Sequence, residues 1–234
     1  MTEVSSIAMF RGTIASGHSH CQLLSGALNR YFRVTMFFSA FLSRRRISAC
    51  VHDLYQKIMA QSRQPAFYRD MGVMDSPEGR FEMLALHAFM VLHRLKKPGM
   101  DPEIGQALFD LMFADMDRNL REMGIPDLRI GPRVKVMAKE FYGRVGAYET
   151  GLAEGATDSL LVDAIKRNLY SGEDGSKEGA EATNVPPRGA PEALAAYLRA
   201  NVAHLSGVGD GEIMAGNFCF SDLPPDAITA PIQE

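Results

Sequence analysis

Apolar residues recur at three- and four-residue steps through the middle of the chain, which is the spacing of one face of an α-helix. Ser76-Pro77-Glu78 and Asp101-Pro102-Glu103 each combine an N-cap residue, a proline at the first helical position and an acidic residue in the first turn. The pattern predicts helices over residues 47–63, 76–97, 101–123, 132–154, 157–170 and 191–205. No segment shows the sustained alternation of a strand. We therefore predict an all-α fold, a single helical-bundle-like domain of about six to eight helices with flexible N- and C-terminal segments.

The predicted helix over 76–97 carries a polar line on an otherwise apolar surface. Residues 83–92 are apolar nearly all round, which is typical of a helix at the centre of a fold. The line consists of side chains at helical spacing: Arg80, Met83, His87, Met90 and Arg94. Two interpretations remain open at this point. The line is either a polar seam whose hydrogen bonds are satisfied inside the domain, or a surface that faces a cleft and contacts a partner.

The predicted helix over 132–154 carries a line of small residues, Gly143, Ala147 and Gly151. A glycine inside a helix costs about 1 kcal/mol relative to alanine. We expect the close approach of another helix to offset this cost. That helix belongs either to this chain or to a partner.

Charge and composition divide the chain into three parts. Residues 1–60 carry seven basic and two acidic residues, whereas residues 171–234 carry three basic and ten acidic residues. The middle of the chain is almost neutral, which is poor evidence for a nucleic-acid partner, and we expect none. We predict an N-terminal extension (1–46), a helical domain (47–205) with a flexible loop (171–190), and a C-terminal tail (206–234).

The N-terminal extension ends in an aromatic segment followed by arginines. Met36 opens this segment, and we hypothesise that translation starts there rather than at Met1. Apolar bulk next to basic residues suits an interfacial anchor beside anionic lipid. The alternative is an N-terminus that packs loosely or not at all. The predicted membrane-surface residues are Phe37, Phe38, Phe41, Arg44, Arg45 and Arg46. No apolar stretch is long enough to predict a transmembrane helix.

The sequence motifs of common catalytic and metal sites are incomplete or missing. Asp115-Met116-Asp117 begins like a calcium loop, but Leu120 stands where that loop needs glycine and Pro126 where it needs glutamate. No Glu-x-x-His pair is present for a di-iron site. The three cysteines lie far apart, which predicts free thiols in a reducing compartment. We expect no catalytic residue, no metal and no cofactor.

A series of motifs resembles one known family, in unbroken order over residues 47–170. The motifs are Leu54-Tyr55, Ala60-Gln61-Ser62-Arg63-Gln64-Pro65-Ala66-Phe67-Tyr68, Gly72-Val73, Gly79-Arg80-Phe81-Glu82-Met83, Leu86-His87, Arg94-Leu95, Leu108-Phe109-Asp110, Met112-Phe113, Asp115-Met116-Asp117, Leu120-Arg121-Glu122-Met123-Gly124, Asp127-Leu128, Phe141-Tyr142-Gly143-Arg144 and Ala147-Tyr148. Together they resemble the ubiquinol–cytochrome c chaperone family, whose members assist assembly of the cytochrome bc1 complex.

The resemblance implies an all-α, non-enzymatic chaperone that binds newly synthesised cytochrome b. It also implies a small helper protein and the ribosome as further partners. The reducing profile looks more like a bacterial cytoplasmic member, in peripheral contact with the inner membrane. Eight of the 14 methionines fall between Met71 and Met123, and we expect them to form an adaptable surface for an apolar client. The alternatives are a helical enzyme acting on an isoprenoid- or quinone-like lipid, and a membrane-surface adaptor protein.

Eleven residues are candidates for contacts with the partner: Arg80, Met83, His87, Met90, Arg94, Asp110, Asp117, Arg121, Tyr142, Arg144 and Tyr148. The alternative for the charged members is that they pair with one another inside the bundle. Balanced charges in helical domains commonly do so at i,i+4 spacing.

Overall fold

The computed structural model describes residues 47–170 and 185–223, and these residues form helices and connecting turns without any strand. The helices are α1 (47–62), α2 (Pro65–Arg69), α3 (Pro77–Leu95), α4 (Pro102–Glu122), α5 (Asp127–Leu152), α6 (Asp158–Ile165), α7 (Ala190–Gly207) and α8 (Asp210–Met214). A π-helical turn, Lys166–Tyr170, continues α6. The predicted all-α fold is confirmed.

The starts of α3 and α4 follow the predicted capping chemistry. The Ser76 side chain accepts a hydrogen bond from the backbone N–H of Gly79 at 3.1 Å. The Asp101 carboxylate accepts one from the backbone N–H of Glu103 at 2.9 Å. Each cap satisfies one of the N–H groups that a helix start leaves unpaired, and each is followed by a proline that has no N–H to satisfy.

Helix α5 begins earlier than the sequence pattern predicts. Pro132 was expected to open this helix, but α5 starts at Asp127 and contains Pro132. Proline removes one hydrogen bond to the carbonyl four residues earlier, here that of Leu128. Leu128 is 92% exposed and residues 131–133 are exposed as well, so this side of the turn is open to water, which can replace the missing donor. The prediction was wrong because it treated the proline as a boundary.

Helix α3 is the centre of the described domain. Its residues 81–91 are all buried, and it packs against α4, α5, α7 and the π-helical turn. This arrangement explains why residues 83–92 are apolar nearly all round. The surrounding helices direct their apolar residues into the core, against α3 or against one another.

The methionines of the described ranges do not form the expected surface. Met83 and Met90 on α3 and Met112 and Met116 on α4 are buried in the core. Their unbranched, polarizable side chains fill space between the helices instead of forming a surface for a client. Among the methionines of the described ranges, only Met74 and Met123 are classed as exposed.

The small residues on α5 lie in two different surroundings, one against α6 and one in solvent. A Cβ atom on Gly151 would lie 2.9 Å from the Cα of Leu161, so the backbone of α6 packs directly on α5 there. The expected close approach is therefore made at Gly151 by a helix of this chain. A Cβ on Gly143 would meet nothing within 4 Å, and this glycine is exposed.

Several predictions fall on residues outside the described ranges. These are the start at Met36, the membrane-surface segment with Phe37 and Arg44, most of the loop at 171–190 and the last eleven residues of the tail. The first part of the predicted tail is described. It forms α8, and Phe218 after α8 is buried against the domain. The division of the whole chain into an extension, a domain and a tail stays a prediction.

Candidate partner-binding surface

The predicted polar line on α3 lies inside the domain, except at its first residue. His87 is fully buried, and its Nδ1 lies 2.7 Å from the carbonyl oxygen of Met83, while its Nε2 lies 2.9 Å from the hydroxyl of Tyr197. Burial lowers the pKa of His87 to about 4, so the imidazole is neutral. Met83 and Met90 are fully buried beside it. The line therefore has the contacts expected of a polar seam.

Arg94, the last residue of this line, connects α3 to the segment between α7 and α8. Its guanidinium donates hydrogen bonds to the carbonyl oxygens of Leu205 at 2.9 Å and Val208 at 2.8 Å, and forms an ion pair with Asp210 at 2.5 Å. The Arg94 side chain is 4% exposed. Its contacts tie the end of α7 and the start of α8 to α3.

Arg144 and Tyr148 of α5 also lie against α3. The Arg144 guanidinium forms two hydrogen bonds with the carboxylate of Glu82, and both side chains are largely buried. Burial raises the pKa of Glu82 above its usual range, although the Arg144 guanidinium opposes that shift. Tyr148 is fully buried with its ring 5.3 Å from that of Phe89. A partner that binds the described conformation would reach little of either candidate.

The candidates on α4 are exposed or half-buried, and they are engaged with neighbours. Asp110 accepts a hydrogen bond from Gln106 at 2.8 Å. Arg121 pairs with Asp117 at 2.7 Å and with Asp127 at 2.6 Å, which holds the α4–α5 turn. The carboxylate of Asp117 raises the pKa of Arg121 above its usual value. The contacts of these charged residues are therefore those of the alternative interpretation, in which they pair with neighbours inside the bundle.

Tyr142 is the most exposed aromatic candidate, at 60%. Its ring lies 5.3 Å from that of Phe109 on α4, at the edge of an aromatic cluster that continues into the core through Phe141 and Phe113. Its ring is therefore supported from one side and open to solvent on the other.

Arg80, the remaining candidate, lines a hollow in the surface that the sequence pattern did not reveal. Its lining residues are Arg63, Pro65, Tyr68, Arg69, Asp75 and Arg80. A second hollow, lined by Tyr55, Gln56, Met59, Ala60, Arg63 and Asp115, shares Arg63 with the first. We call the two hollows together the Arg63 groove.

Local structure at the α1–α2–α3 connection shapes the first hollow. The hydroxyl of Tyr68 on α2 donates to the carbonyl oxygen of Ser62 at the end of α1, at 2.8 Å. A Cβ on Gly79 would lie 2.0 Å from the carbonyl oxygen of Met74, so only glycine permits this tight entry into α3. The entry places Asp75 against Arg80, with 2.6 Å between Oδ1 and Nε.

Of the three arginines that line the Arg63 groove, Arg63 alone has no acidic partner among the described residues. Arg80 pairs with Asp75 and Arg69 pairs with Asp70, and each pairing lowers the pKa of the carboxylate below its usual value. Arg63 is exposed, and its side chain has no hydrogen bond or ion pair with any residue of the described ranges. Its five N–H donors are therefore available to a carboxylate or a backbone carbonyl of a partner.

Two residues that line the second hollow, Tyr55 and Asp115, are joined by a hydrogen bond between helices. The Tyr55 hydroxyl on α1 donates to the Asp115 carboxylate on α4 at 2.8 Å. Burial, reinforced by this hydrogen bond, raises the pKa of Tyr55 above its usual range, so the hydroxyl keeps its proton. Tyr55 and Asp115 are therefore fixed polar groups of the groove.

Sequence reasoning missed Arg63, Tyr68 and Asp115 as site residues, although all three stood in the motifs that carried the family resemblance. They belong to the α1–α2 turn, to α2 and to α4, so the periodicity of a single helix could not bring them together. The motifs themselves were the available signal. A stretch such as Gln61-Ser62-Arg63-Gln64-Pro65 contributes little to the core, apart from buried Ser62.

The described residues contain neither a cluster of metal ligands nor a membrane-spanning helix. No group of three or more His, Cys, Asp or Glu side chains there is placed to hold a metal ion. Within the same ranges, each helix is too short or too polar to cross a membrane.

Comparisons with known proteins give the relationship. The sequence profile of the ubiquinol–cytochrome c chaperone family matches residues 69–220. A solved structure described as the Cbp3 homolog from Brucella abortus is similar to the chain, with 33% sequence identity and a TM-score of 0.62. The similarity covers 81% of this chain and 97% of that one. A comparison with curated proteins found no significant match. The sequence profile and the solved structure agree with the resemblance seen in the motifs, and the chain belongs to the ubiquinol–cytochrome c chaperone family.

Proposed function

We propose that this protein is a non-enzymatic assembly chaperone of the cytochrome bc1 complex and that its client is newly synthesised cytochrome b. The observation that carries the proposal is the similarity to the Cbp3 homolog, at 33% identity over 81% of the chain. A chaperone for one complex needs a surface that recognises its client. The Arg63 groove offers polar side chains for such a contact.

The chemistry of the groove narrows the part of the client that it binds. Three arginines, two tyrosines and the paired carboxylates of Asp75 and Asp115 line it, and Met59 is the one methionine among the lining residues. The methionines of the core are buried. Such a surface suits a polar loop or terminus with carboxylates better than an apolar membrane-spanning segment. We therefore propose that the protein holds a polar segment of cytochrome b that lies outside the membrane.

The enzyme alternative draws no support from the acidic residues of α4. A prenyl-diphosphate site needs aspartates that are free to hold Mg²⁺. Asp110, Asp115 and Asp117 instead accept hydrogen bonds from Gln106, Tyr55 and Arg121.

We propose a place at the cytoplasmic face of the inner membrane, where cytochrome b is inserted. The small helper protein and the ribosome stay predicted partners that rest on the resemblance alone.

Deletion of the gene tests the proposal. We expect a loss of assembled bc1 complex and of the cytochrome b haem absorbance, both restored by the wild-type gene. Affinity purification of the tagged full-length chain should recover cytochrome b when synthesis is interrupted early. Normal bc1 levels in the deletion strain would overturn the function. Reduced bc1 with recovery of a different subunit, and never of cytochrome b, would overturn the client alone.

A further inference from the structure

Helix α5 carries positive charges that nothing in the described structure compensates. The side chains of Arg129, Lys135 and Lys139 have no hydrogen bond or ion pair with a described residue. The acidic residues of α5 are all paired, Asp127 with Arg121, Glu140 with Arg144 at 3.9 Å, and Glu149 with Lys96. The outer side of this helix is therefore net positive.

The two lysines differ from the other lysines that the structure describes. Lys57 and Lys97 donate to the backbone carbonyls of Phe218 and Ser206. Lys96 pairs with Glu149, and Lys166 pairs with Glu192. Lys135 and Lys139 lie one helical turn apart and point at solvent without such a partner.

Exposed apolar side chains share this side of α5. Leu128 is 92% exposed, Val136 54% and Tyr142 60%. These are three of the seven large apolar side chains that are exposed in the described ranges. Single exposed apolar residues need no explanation, but a cluster on one helix indicates an interaction surface.

Helical geometry places these residues on one side. Leu128, Lys135, Lys139 and Tyr142 follow one another at steps of seven, four and three residues, and Val136 lies beside them. We call these five residues the α5 outer face. At 1.5 Å per residue, the face extends over about 21 Å along the helix.

We propose that the α5 outer face docks the protein onto an anionic lipid surface. Lysines between exposed apolar side chains are typical of helices that lie in the plane of a membrane, where the ammonium groups meet phosphates and the apolar groups enter the acyl boundary. Exposed leucine and valine favour this occupant over RNA, which offers them no apolar contact. The uncompensated charge favours anionic lipid over neutral lipid. The α5 outer face shares no residue with the Arg63 groove, and the proposal specifies which surface meets the membrane at which this protein is proposed to act.

Fluorescence offers a direct test, because the chain contains no tryptophan. Tyr142→Trp in the full-length protein places a single reporter on the α5 outer face, and His204→Trp places one at an exposed position on α7. We expect vesicles of brominated phosphatidylglycerol and phosphatidylcholine to quench Trp at 142 and to leave Trp at 204 unquenched. Equal quenching at both positions, or none at 142 in vesicle-bound protein, would overturn the proposal.

Charge neutralisation measures the contribution of the lysines. Lys135→Gln with Lys139→Gln should weaken partitioning into these vesicles about 30-fold, since each basic residue near such a surface contributes about 1 kcal/mol. Lys97→Gln with Arg188→Gln removes the same charge from exposed positions outside α5, without releasing an acidic residue of that helix, and should leave partitioning nearly unchanged. Thermal unfolding of both double variants monitors the fold.

The N-terminal segment needs a control of its own. The same variants are therefore repeated in a full-length background in which Phe37, Phe38 and Phe41 are serine and Arg44 to Arg46 are glutamine. Loss of all vesicle binding in that background, before α5 is changed, would overturn the proposal. So would binding to an RNA duplex or an acidic protein that the α5 variant abolishes while vesicle partitioning stays the same.

Discussion

The hydroxyl of Tyr197 on α7 donates a hydrogen bond to Nε2 of His87 on α3, over 2.9 Å in the middle of the core. The direction follows from the other ring nitrogen. Nδ1 lies 2.7 Å from the Met83 carbonyl oxygen, which can only accept, so Nδ1 carries the proton and Nε2 is the acceptor. Tyr197 in turn accepts a hydrogen bond from the Gln61 side chain at 3.1 Å. The chain of hydrogen bonds joins α1, α7 and α3 and requires a neutral imidazole.

We expect acid to destabilise the protein through His87. Its pKa is about 4 in the folded state, whereas an unfolded histidine has a pKa of about 6.5. Above pH 6.5 the histidine is neutral in both the folded and the unfolded state, so it does not lower the free energy of unfolding. As the pH falls from 6.5 toward 4, only the unfolded state binds the proton, and the free energy of unfolding drops by about 1.4 kcal/mol per pH unit at most. Urea denaturation at several pH values measures this slope.

The variant His87→Gln isolates this contribution. It should be less stable than the wild type at pH 7.5, because a buried ring and its hydrogen bonds are lost, but its stability should depend less on pH between 4 and 6.5. His52→Gln on the exposed side of α1 controls for the loss of one histidine. Parallel curves for the wild type and His87→Gln would contradict the assignment.

The buried ion pair between Glu82 and Arg144 predicts an asymmetry between single and double substitutions. Arg144→Met leaves the Glu82 carboxylate buried without its partner and should cost about 3 kcal/mol in the free energy of unfolding. Glu82→Met with Arg144→Met removes both charges and should recover most of that loss, because well-packed apolar groups replace the pair. Chemical denaturation of the single and double variants measures the difference. A double variant as unstable as Arg144→Met would show that the pair itself stabilises the fold.

Much of the fold followed from local sequence chemistry. Ser76 and Asp101 marked helix starts correctly, because an N-cap followed by proline leaves the chain few alternatives. Pro132 misled the prediction, since its effect depends on how exposed the surrounding turn is. The central place of α3 was also predictable, because residues that are apolar nearly all round can be satisfied only by neighbours on several sides.

The surfaces were much harder to predict. Whether His87 faced the core or a cleft depended on Tyr197, 110 residues away, and no local pattern links the two. Arg63 stood in a recognised motif, but its lack of an ion pair is a property of the folded neighbourhood. Lys135 and Lys139 look like any exposed lysines until the partners of the other lysines are known.

We expect the substitution of glycine by alanine to have opposite effects on stability at two positions of α5. Gly151→Ala places a methyl group 2.9 Å from the Cα and Cβ of Leu161, so α6 must shift, and we expect a loss of about 1–3 kcal/mol. Gly143→Ala meets nothing within 4 Å and should stabilise the helix by up to about 1 kcal/mol. Thermal unfolding of the two variants provides the comparison. Equal shifts in Tm would contradict the close packing of α5 and α6.

Charge reversal at Arg63 should impair assembly without impairing the fold. Arg63 is exposed and pairs with no described residue, so Arg63→Glu removes no contact that stabilises the domain, and Tm should stay within about 2 °C of the wild-type value. The same change places a negative charge where both halves of the Arg63 groove meet. We expect a tenfold or greater loss of co-purified cytochrome b, since a desolvated charge contact is worth about 1.5–3 kcal/mol.

Arg188→Glu is the matched control for this prediction, because Arg188 is also exposed and also lacks a partner among the described residues, but it lies outside the groove. Both variants are expressed in the deletion strain at equal levels, and bc1 content is measured from the haem spectra. Arg63→Glu should give the low bc1 content of the deletion, whereas Arg188→Glu should restore the complex. If both restored it equally, the groove would not be the client-binding surface. If both failed, the loss would follow from net charge and not from the position of Arg63.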